Sequence, residues 1–390
     1  MHKIRILVLI DYYLPGYKAG GPIRTLTNMV ECLQEKYEFL IVTRDRDLGD
    51  KQAYPNIKTN VWVTEDTTSI YYISEERWGI RSMFRLLTNT QYDILYLNSF
   101  FSVRSTILPL LLRYIGVVPR LPVVIAPRGE FSPGALRLKP VKKRVYLAIL
   151  RVLGLYRNLV WQASSVEEAD DIEKLGIAVD GKTIIAPDLV FGKKPVCVPT
   201  AIKRLPGKLR LVFVSRISPK KNLDFLLRTL EKTKSGITLA IFGPVEDSFY
   251  WEKCKNLISS LPPNIEVTYG GSVPHEKIYE VFSQNDLFAF PTYGENFGHI
   301  IFEALSSDTP VLTSDQTPWK PDLEGALTTL PLSEEQWSEA IETWACLSSS
   351  DLLSRRYAAR EYTNAYLRND DSLVKNIELF QGTIHASESM

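Results

Sequence analysis

The chain has 390 residues, of which 45% are hydrophobic and 23% are charged. This composition is ordinary for a globular protein and supplies enough apolar residues for two domain cores, which excludes a largely disordered, collagen-like or coiled-coil chain. The formal net charge of +1 argues against a protein that binds nucleic acid over its whole surface, because such proteins are strongly basic.

The first half of the chain alternates short apolar runs with stretches of helical periodicity, such as the helix predicted over Arg24–Gln34. Short runs that are apolar at every position are typical of strands in parallel sheets, and their alternation with helices indicates a doubly wound α/β domain. The predicted strands are Ile6–Ile10, Phe39–Thr43, Asp93–Leu97 and Pro122–Ala126.

The same pattern begins again after residue 207. Between the two halves, residues 187–207 are rich in proline, glycine and lysine and lack periodicity, so we predict a linker there. Two Rossmann-like units side by side would leave a cleft, and ligands of open α/β sheets bind at the carboxyl ends of the strands. The predicted strands of the second half are Leu209–Ser215, Thr238–Phe242, Ile265–Thr268, Leu287–Phe290 and Pro310–Thr313.

Neither the cysteines nor the apolar segments indicate a secreted or membrane-spanning protein. The cysteines form no C-x-x-C pair, so they predict buried thiols in a reducing compartment rather than a zinc site or a disulfide framework. The first apolar run is short and Asp11 follows it, and no segment reaches the ~18–20 uncharged apolar residues that span a bilayer. We therefore expect a cytoplasmic protein. The cysteines are Cys32, Cys197, Cys254 and Cys346.

Two groups of residues after predicted strands are suited to phosphate. Gly20 and Gly21 lie in the loop before Pro22, where glycine lets the backbone approach a ligand and a helix start would present free amides to an anion. Arg216 and Lys221 follow the strand at 209–215, and two fixed cations suit a diphosphate. Each group has a simpler interpretation as a solvated loop, and Lys220 is an alternative to Lys221.

The most specific pattern is the pair of carboxylates Glu295 and Glu303, eight residues apart. Glu295 lies in a loop after a predicted strand, and Glu303 lies about one turn into the helix that follows. The amides of residues 296–298 would be free at that helix start and suit sugar hydroxyls, while a carboxylate can accept hydrogen bonds from the vicinal hydroxyls of ribose. The alternative is a helix-capping Glu295 and a surface charge at Glu303.

These residues together resemble the retaining glycosyltransferases of family four. The E-x7-E pair, the arginine–lysine pair and the Gly-Gly loop occur in the expected order, and Gly243-Pro244 and residues 314–318 are also similar to that family. The resemblance covers about residues 6–365. It implies a GT-B fold, in which two Rossmann-like doubly wound domains face each other across a cleft and the C-terminal helix crosses back to the first domain. It places an acceptor-binding domain at 1–190 and 366–390 and a nucleotide-sugar-binding domain at 191–365.

The resemblance also implies a role for each matched residue. Arg216 and Lys221 would hold the donor diphosphate, Glu303 the ribose and Glu295 the donor sugar, so that Arg216, Lys221 and Glu295 would be the catalytic residues. Neither a metal nor a cofactor is implied beyond the nucleoside diphosphate sugar. The implied donor-binding set is Gly20, Gly21, Arg216, Lys221, Gly243, Val273, Glu295, Asn296, Phe297, Gly298 and Glu303.

The chain departs from the family at one position. Many relatives have a histidine in the first domain near the reacting sugar, whereas here Arg128 and Glu130 occupy the loop after the fourth predicted strand, and we expect them on the acceptor or sugar side. His275 is expected at the surface, and His299 is either a donor contact or part of the helix start. The triplet at 45–47, Asp-Arg-Asp, is interpreted as a solvated turn rather than a metal site.

Positive charge is concentrated in one window. Residues 94–166 contain eleven lysines and arginines and a single acid, Glu130. A basic amphipathic helix within Leu136–Tyr156 could lie on an anionic membrane, although the same pattern fits a helix that buries its apolar face in the core. We therefore expect contact with an anionic membrane through region 104–157, on the inner face of the plasma membrane, and no contact with nucleic acid.

The resemblance thus implies a metal-independent retaining glycosyltransferase. It would move a sugar from a nucleoside diphosphate sugar to a hydroxyl of a lipid-linked cell-surface glycan. Two alternatives remain open, a nucleotide-sugar epimerase with the same fold and a non-catalytic, membrane-associated partner of another transferase.

Overall fold

The computed structural model describes residues 3–65, 68–132, 153–178, 181–190 and 207–388, together with residues 147 and 150. It divides the chain into two compact units. Unit 1 comprises Met1–Phe191 and Asp371–Met390, and unit 2 comprises Gly192–Asp370. From the sequence alone we place these boundaries after residues 190 and 365.

Unit 1 is built on an eight-stranded sheet. Its strands are β1 (Ile4–Leu9), β2 (Tyr37–Arg44), β3 (Trp62–Glu65), β4 (Thr68–Ile73), β5 (Ile94–Leu97), β6 (Val123–Ile125), β7 (Val160–Ala163) and β8 (Lys182–Ile185). The strand order is β3-β4-β2-β1-β5-β6-β7-β8. Neighbouring strands are parallel, except that β3 pairs with β4 in the antiparallel direction.

Both faces of this sheet are covered. Along β1, Leu7 and Leu9 belong to one hydrophobic core and Ile6 and Val8 to another, because successive side chains of a strand point to opposite faces. This burial on both sides explains why the run is apolar at every position. The helices that pack around the sheet are α1 (Gly21–Leu33), α2 (Ile80–Asn89), α3 (Leu108–Tyr114) and α4 (Val166–Lys174).

Unit 2 has a six-stranded parallel sheet. Its strands are β9 (Lys208–Val214), β10 (Gly236–Phe242), β11 (Ile265–Tyr269), β12 (Leu287–Phe290), β13 (Val311–Ser314) and β14 (Leu327–Leu330), in the order β11-β10-β9-β12-β13-β14. Its helices are α5 (Leu223–Glu231), α6 (Ser248–Ser260), α7 (His275–Ser283), α8 (His299–Ser306), α9 (Glu334–Cys346) and α10 (Ser349–Asn369).

The last helix returns to unit 1, as predicted. Helix α11 (Ser372–Glu388) follows α10 of unit 2 but packs on the sheet of unit 1. The ring of Phe380 lies 5.3 Å from that of Tyr37 and 5.9 Å from that of Tyr96. The side-chain amide of Asn376 donates to the carbonyl of Pro187 at 2.8 Å, so polar contacts also attach this helix to unit 1.

Each sheet changes its direction of growth at one place. In unit 1, β2, β3 and β4 lie on one side of β1, and β5 is the first strand on its other side. In unit 2, β10 and β11 lie on one side of β9, and β12 is the first strand on its other side. Loops that leave adjacent strands on opposite sides of the sheet diverge at such a point and leave a crevice at the carboxyl ends of the strands. The loop after β1 contains Gly20 and Gly21, and the loops after β9 and β12 contain Arg216, Lys221 and Glu295.

The predicted fold class is confirmed, and one local prediction is wrong. The side chains of Asp45 and Asp47 are not solvated, because each residue is only 3% exposed. Asp47 accepts hydrogen bonds from the amides of Tyr17 and Lys18 at 2.8 and 3.1 Å, which draws its carboxylate into the loop before α1. In the part of the chain that the structure describes, every helix is too short or too polar to cross a membrane.

Candidate functional site

A buried ion pair occupies the point of unit 2 where strand order reverses. Lys221 ends the short helical turn after β9, and its Nζ lies 2.6 Å from Oε1 of Glu295 in the loop after β12. The two side chains are only 10% and 12% exposed. The hydroxyl of Thr292 donates to the same carboxylate oxygen at 2.8 Å, and the Lys221 ammonium lies 5.4 Å from the centroid of the Phe290 ring.

The surroundings shift both ionisation equilibria. Burial lowers the pKa of the Lys221 ammonium, and the nearby positive charge of Arg216 lowers it further, while Glu295 opposes both effects. Burial alone would raise the pKa of Glu295, but the charges of Lys221 and Lys220 outweigh it and lower that pKa. The carboxylate of Glu295 is therefore held in its ionised form between two lysines.

Arg216 and Lys220 differ from Lys221 in burial and contacts. Arg216 follows β9 and is partly exposed, with Nη1 3.0 Å from Oε1 of Glu246. Lys220 contributes its carbonyl, which accepts from the amide of Tyr293 at 2.9 Å. Of the two neighbouring lysines, Lys221 is the one whose ammonium pairs with Glu295, which the sequence left open.

Glu303 has a different partner. It lies within α8, is 7% exposed, and its Oε1 is 3.0 Å from Nε2 of His275, the first residue of α7. His275 was expected at the surface, and its side chain is indeed one third exposed. The sequence did not show that one of its ring nitrogens contacts a buried carboxylate. His299 packs at the start of α8, with its ring 4.7 Å from that of Phe297, as one of the two alternatives predicted.

The loop between β12 and α8 presents donors. Within the described residues, the buried side-chain nitrogen of Asn296 has no hydrogen-bond acceptor. The indole nitrogen of Trp319, whose ring stacks on that of Tyr366 in α10, donates to the carbonyl of Phe297 at 2.5 Å and so fixes the loop. Gly298 immediately precedes α8 with φ 83°, and a Cβ there would meet Trp319 at 3.4 Å and Ile301 at 3.2 Å, so a larger residue would strain the turn.

A second glycine brings two strand ends together. Gly243 follows β10 with φ 139°, and a Cβ at this position would lie 1.8 Å from the carbonyl oxygen of Ser215. Its amide donates to the carbonyl of Gly271 at 2.7 Å, and the hydroxyl of Tyr269 donates to its carbonyl at 2.8 Å. The segment that leads to Val273 is thereby held against the end of β10. Only glycine allows this close backbone approach.

In unit 1 the Gly-Gly loop has the expected local form. Gly20, with φ 70°, precedes the first residue of α1, and Pro22 stands in the first turn. A Cβ on Gly21 would meet no atom within 4 Å, so this backbone is open on one side. Asp47 shapes the preceding turn through the amides of Tyr17 and Lys18. No sequence pattern pointed to that role of Asp47.

Arg128 and Glu130 are both held by unit 1 itself. Arg128 is 7% exposed at its side chain and donates to Asp188, Tyr96 and Asn98, the last at 3.0 Å. Glu130 accepts from the amides of residues 100 and 101 at 2.6 and 3.1 Å and from the hydroxyl of Ser99 at 2.7 Å. These contacts tie the loop after β6 to the loop after β5.

The contacts of three functional candidates were not visible in the sequence. His275 and Trp319 contact the motif residues Glu303 and Phe297, which lie 28 and 22 positions away. Asp47 contacts Tyr17 in the loop before the Gly-Gly pair, 30 positions away. No local pattern marks such a contact, although Pro274 before His275 does indicate a helix start. Across the described ranges, no group of three histidine, cysteine, aspartate or glutamate side chains is arranged to hold a metal ion.

The two α/β units, each with a mostly parallel sheet, have the fold of the GT-B class. Residues 201–351 match the family described as glycosyl transferases group 1. Anabaena HepE, solved with UDP and glucose, has a TM-score of 0.71 at 17% identity, covering 99% of this chain and 100% of that one. Sucrose-phosphate synthase from Thermosynechococcus elongatus has a TM-score of 0.74 at 16% identity, covering 98% and 100%.

Curated relatives match a shorter stretch. D-inositol 3-phosphate glycosyltransferase from Rhodococcus erythropolis is 33% identical over 117 residues, which are 28% of this chain and 26% of that enzyme. Alpha-galactosylglucosyldiacylglycerol synthase from Streptococcus pneumoniae is 27% identical over 164 residues, 40% of this chain and 42% of that enzyme. The matches thus span less than half the length of these relatives.

Proposed function

We propose that this protein is a metal-independent retaining glycosyltransferase of family four. In this proposal unit 2 binds a nucleoside diphosphate sugar, unit 1 binds the acceptor, and the sugar passes to a hydroxyl of a lipid-linked cell-surface glycan. The observation that carries the proposal is the buried Lys221–Glu295 pair beside Arg216 at the β9–β12 crevice.

The diphosphate is assigned to the cations of this crevice. Arg216 offers a partly exposed guanidinium, and Lys221 offers a buried ammonium whose charge is attenuated little by water. Fixed positive charge of this kind stabilises the negative charge that develops on a departing phosphate. Gly20 and Gly21 would add backbone amides to the phosphates, since the backbone at Gly21 is open on one side.

The sugar and nucleoside are assigned to the neighbouring loops. Glu295 and the amides at 296–298 would bind the donor sugar, and the unpaired side-chain nitrogen of Asn296 supplies one donor for its oxygens. Glu303 would accept the ribose hydroxyls, and the segment from Gly243 to Val273 would pass the base. Glu295 follows β12, Gly243 follows β10 and Val273 follows β11, while Glu303 lies in the helix after the β12 loop.

The reaction would proceed on one face of the sugar. The bond between the anomeric carbon and the phosphate oxygen breaks while a bond to the acceptor oxygen forms on the same side. The acceptor proton passes to the leaving phosphate, so no protein base is required. Arg128 and Glu130, whose side chains are held within unit 1, would shape the acceptor side by fixing two loops.

The names of the relatives support an acceptor that carries a lipid or a phosphate. The Rhodococcus enzyme is named for inositol 3-phosphate, and the pneumococcal enzyme for a glycosylated diacylglycerol. HepE was solved with UDP and glucose, which supports a nucleoside diphosphate donor for the same fold.

A donor screen tests the proposal. Thermal unfolding is recorded with UDP-, GDP- and dTDP-sugars, because a ligand that binds the folded form raises its melting temperature. Turnover with the donor that binds is then measured on cell-envelope acceptors for wild type, Arg216→Ala and Glu303→Ala, with the exposed Arg368→Ala as matched control. We expect both site variants to lose at least tenfold in kcat/KM, about 1.4 kcal/mol of transition-state stabilisation, and the control to match wild type.

The outcomes separate the alternatives. Isomerised donor without acceptor would indicate an epimerase, and the absence of binding to every nucleotide sugar would indicate a non-catalytic partner. Full turnover by both site variants would show that the site is elsewhere.

We propose in addition that unit 1 contacts an anionic membrane through region 104–157, as part of a peripheral, cytoplasmic localisation. The predicted basic helix within 136–156 lies almost wholly outside the described residues. Support comes from the described part of the region, where Leu111, Tyr114 and Ile115 are exposed in and just after α3, and Arg120 is exposed five residues further on. Exposed apolar side chains among arginines suit an anionic bilayer.

Sedimentation with phosphatidylglycerol vesicles tests the membrane contact. Bound protein should decrease as salt is raised, because salt screens exposed charges, and Leu111→Ser with Ile115→Ser should weaken binding further. Equal sedimentation with neutral and anionic vesicles would contradict the proposal.

A further inference from the structure

The second carboxylate of the E-x7-E pair is oriented by a residue that no motif contains. Nε2 of His275 lies 3.0 Å from Oε1 of Glu303. His275 is the first residue of α7, Glu303 lies within α8, and the two helices pack against each other. The contact therefore bridges two elements of the same compact unit.

The histidine is itself held in place. Its ring is one third exposed and packs edge-on against the ring of Tyr279, one turn along α7, with centroids 5.8 Å apart. Its backbone is set by Pro274 and the helix start. A ring restrained on two sides presents its nitrogen to Glu303 in one direction.

The chemistry of Glu303 makes such a restraint useful. A carboxylate that accepts from two vicinal hydroxyls must keep its plane in one orientation, and a nearly buried carboxylate also needs hydrogen bonds of its own. Glu295 obtains them from a lysine, which neutralises its charge. An imidazole N–H can hold one oxygen of Glu303 whether or not the ring carries a charge.

We propose that His275 is a positioning residue for the nucleoside part of the site, which holds Glu303 so that its carboxylate receives the ribose hydroxyls. This inference rests on the proposed function, because it requires a nucleoside diphosphate in unit 2. His275 acts through Glu303 and is not assigned a contact with the reacting atoms.

The experiment compares ribose with 2′-deoxyribose. Calorimetry measures the affinities of UDP, GDP, dUDP and dGDP for wild type, His275→Ala, His275→Gln and the neighbouring exposed Glu276→Ala. A hydrogen bond to a charged group supports a preference of about tenfold or more for the ribonucleotide. We expect His275→Ala to lose most of this preference, His275→Gln to restore it through its amide N–H, and Glu276→Ala to retain it.

Kinetics give a second measurement. The donor KM should rise about tenfold in His275→Ala with kcat near wild type, because orientation of the ribose is common to the bound substrate and the transition state. In a Glu303→Gln background the further change His275→Ala should have little effect on affinity, since the two residues act as one unit. This comparison remains informative if the single alanine variant folds poorly.

The possible failures are distinct. If wild type binds neither these nucleotides nor any nucleotide sugar of the donor screen, the proposed function is wrong and this inference fails with it. If wild type prefers the ribonucleotide and His275→Ala keeps that preference, the role of His275 is refuted while the donor site stands. A wild-type protein that binds both forms equally would also overturn the role of His275.

Discussion

Removing the lysine from the buried pair of unit 2 should cost far more stability than removing both partners. In Lys221→Met the carboxylate of Glu295 stays nearly buried and loses its partner at 2.6 Å. Breaking a buried ion pair on one side costs about 3–5 kcal/mol. The hydroxyl of Thr292 still donates to the same oxygen, so we place the loss at the lower end, at about 3 kcal/mol.

The double variant Lys221→Met with Glu295→Gln removes both charges together. A neutral amide can keep the hydrogen bond with Thr292 and needs no counter-charge, so the double variant should lie within about 1 kcal/mol of wild type. The matched control is Lys255→Met, since Lys255 is 48% exposed and pairs only with the exposed Glu252 in the described structure. Its free energy of unfolding should change by less than about 0.5 kcal/mol.

Hydrogen–deuterium exchange is the suitable assay, because two compact units need not unfold together. Exchange of peptides from β9 and β12 reports the opening free energy of unit 2 alone. An equal loss in the single and double variants would falsify the reasoning, because it would trace the effect to packing rather than to an unpaired charge. Donor affinity should be low in both variants, whatever their stability.

Two further predictions concern side chains in unit 2 that support the elements around the site. Burial alone would raise the pKa of Asp224, but hydrogen bonds from Lys253, Tyr250 and Arg228 outweigh it and lower that pKa to about 2. The ionised carboxylate therefore stabilises the folded form above the unfolded pKa near 3.9, and this stabilisation is lost as pH falls toward 2. In urea unfolding measured at a series of pH values, Asp224→Asn should lower the free energy of unfolding by about 2 kcal/mol at pH 7 and leave it unchanged near pH 2. A difference that does not depend on pH would refute this. Trp319→Phe keeps an aromatic ring in place but removes the indole N–H that donates to the loop before α8. It should therefore lower the free energy of unfolding by about 1 kcal/mol and raise the donor KM. Unchanged kinetics would show that the loop does not depend on this hydrogen bond.

Much of the fold was visible in the sequence because it follows from local patterns. The strand predicted at residues 6–10 is apolar at every position, and only a sheet covered on both faces produces such a run. The nine predicted strands coincide with strands of the structure. Those that were missed include β3, β4 and β8, which are only partly buried or are interrupted by polar residues, so their pattern is weak.

The motif residues were also found from the sequence, but their partners were not. Spacing and residue type indicated Glu295 and Glu303, since both lie within one loop-and-helix segment. Their different partners, Lys221 and His275, lie 74 and 28 residues away. Arg128 is expected at the acceptor side, and the three side chains of unit 1 that hold its guanidinium were likewise not visible in the sequence.

The sequence by itself determined the class of fold, the two repeats of the α/β pattern and the positions of the glycines, cations and carboxylates after strands. Those properties depend on neighbouring residues along the chain. Only the tertiary structure decided which strand lies beside which, and so which loops meet at the carboxyl ends of β9 and β12. An ion pair or a buried hydrogen bond forms between whichever side chains the strand order brings within about 3 Å, and no local pattern contains that order.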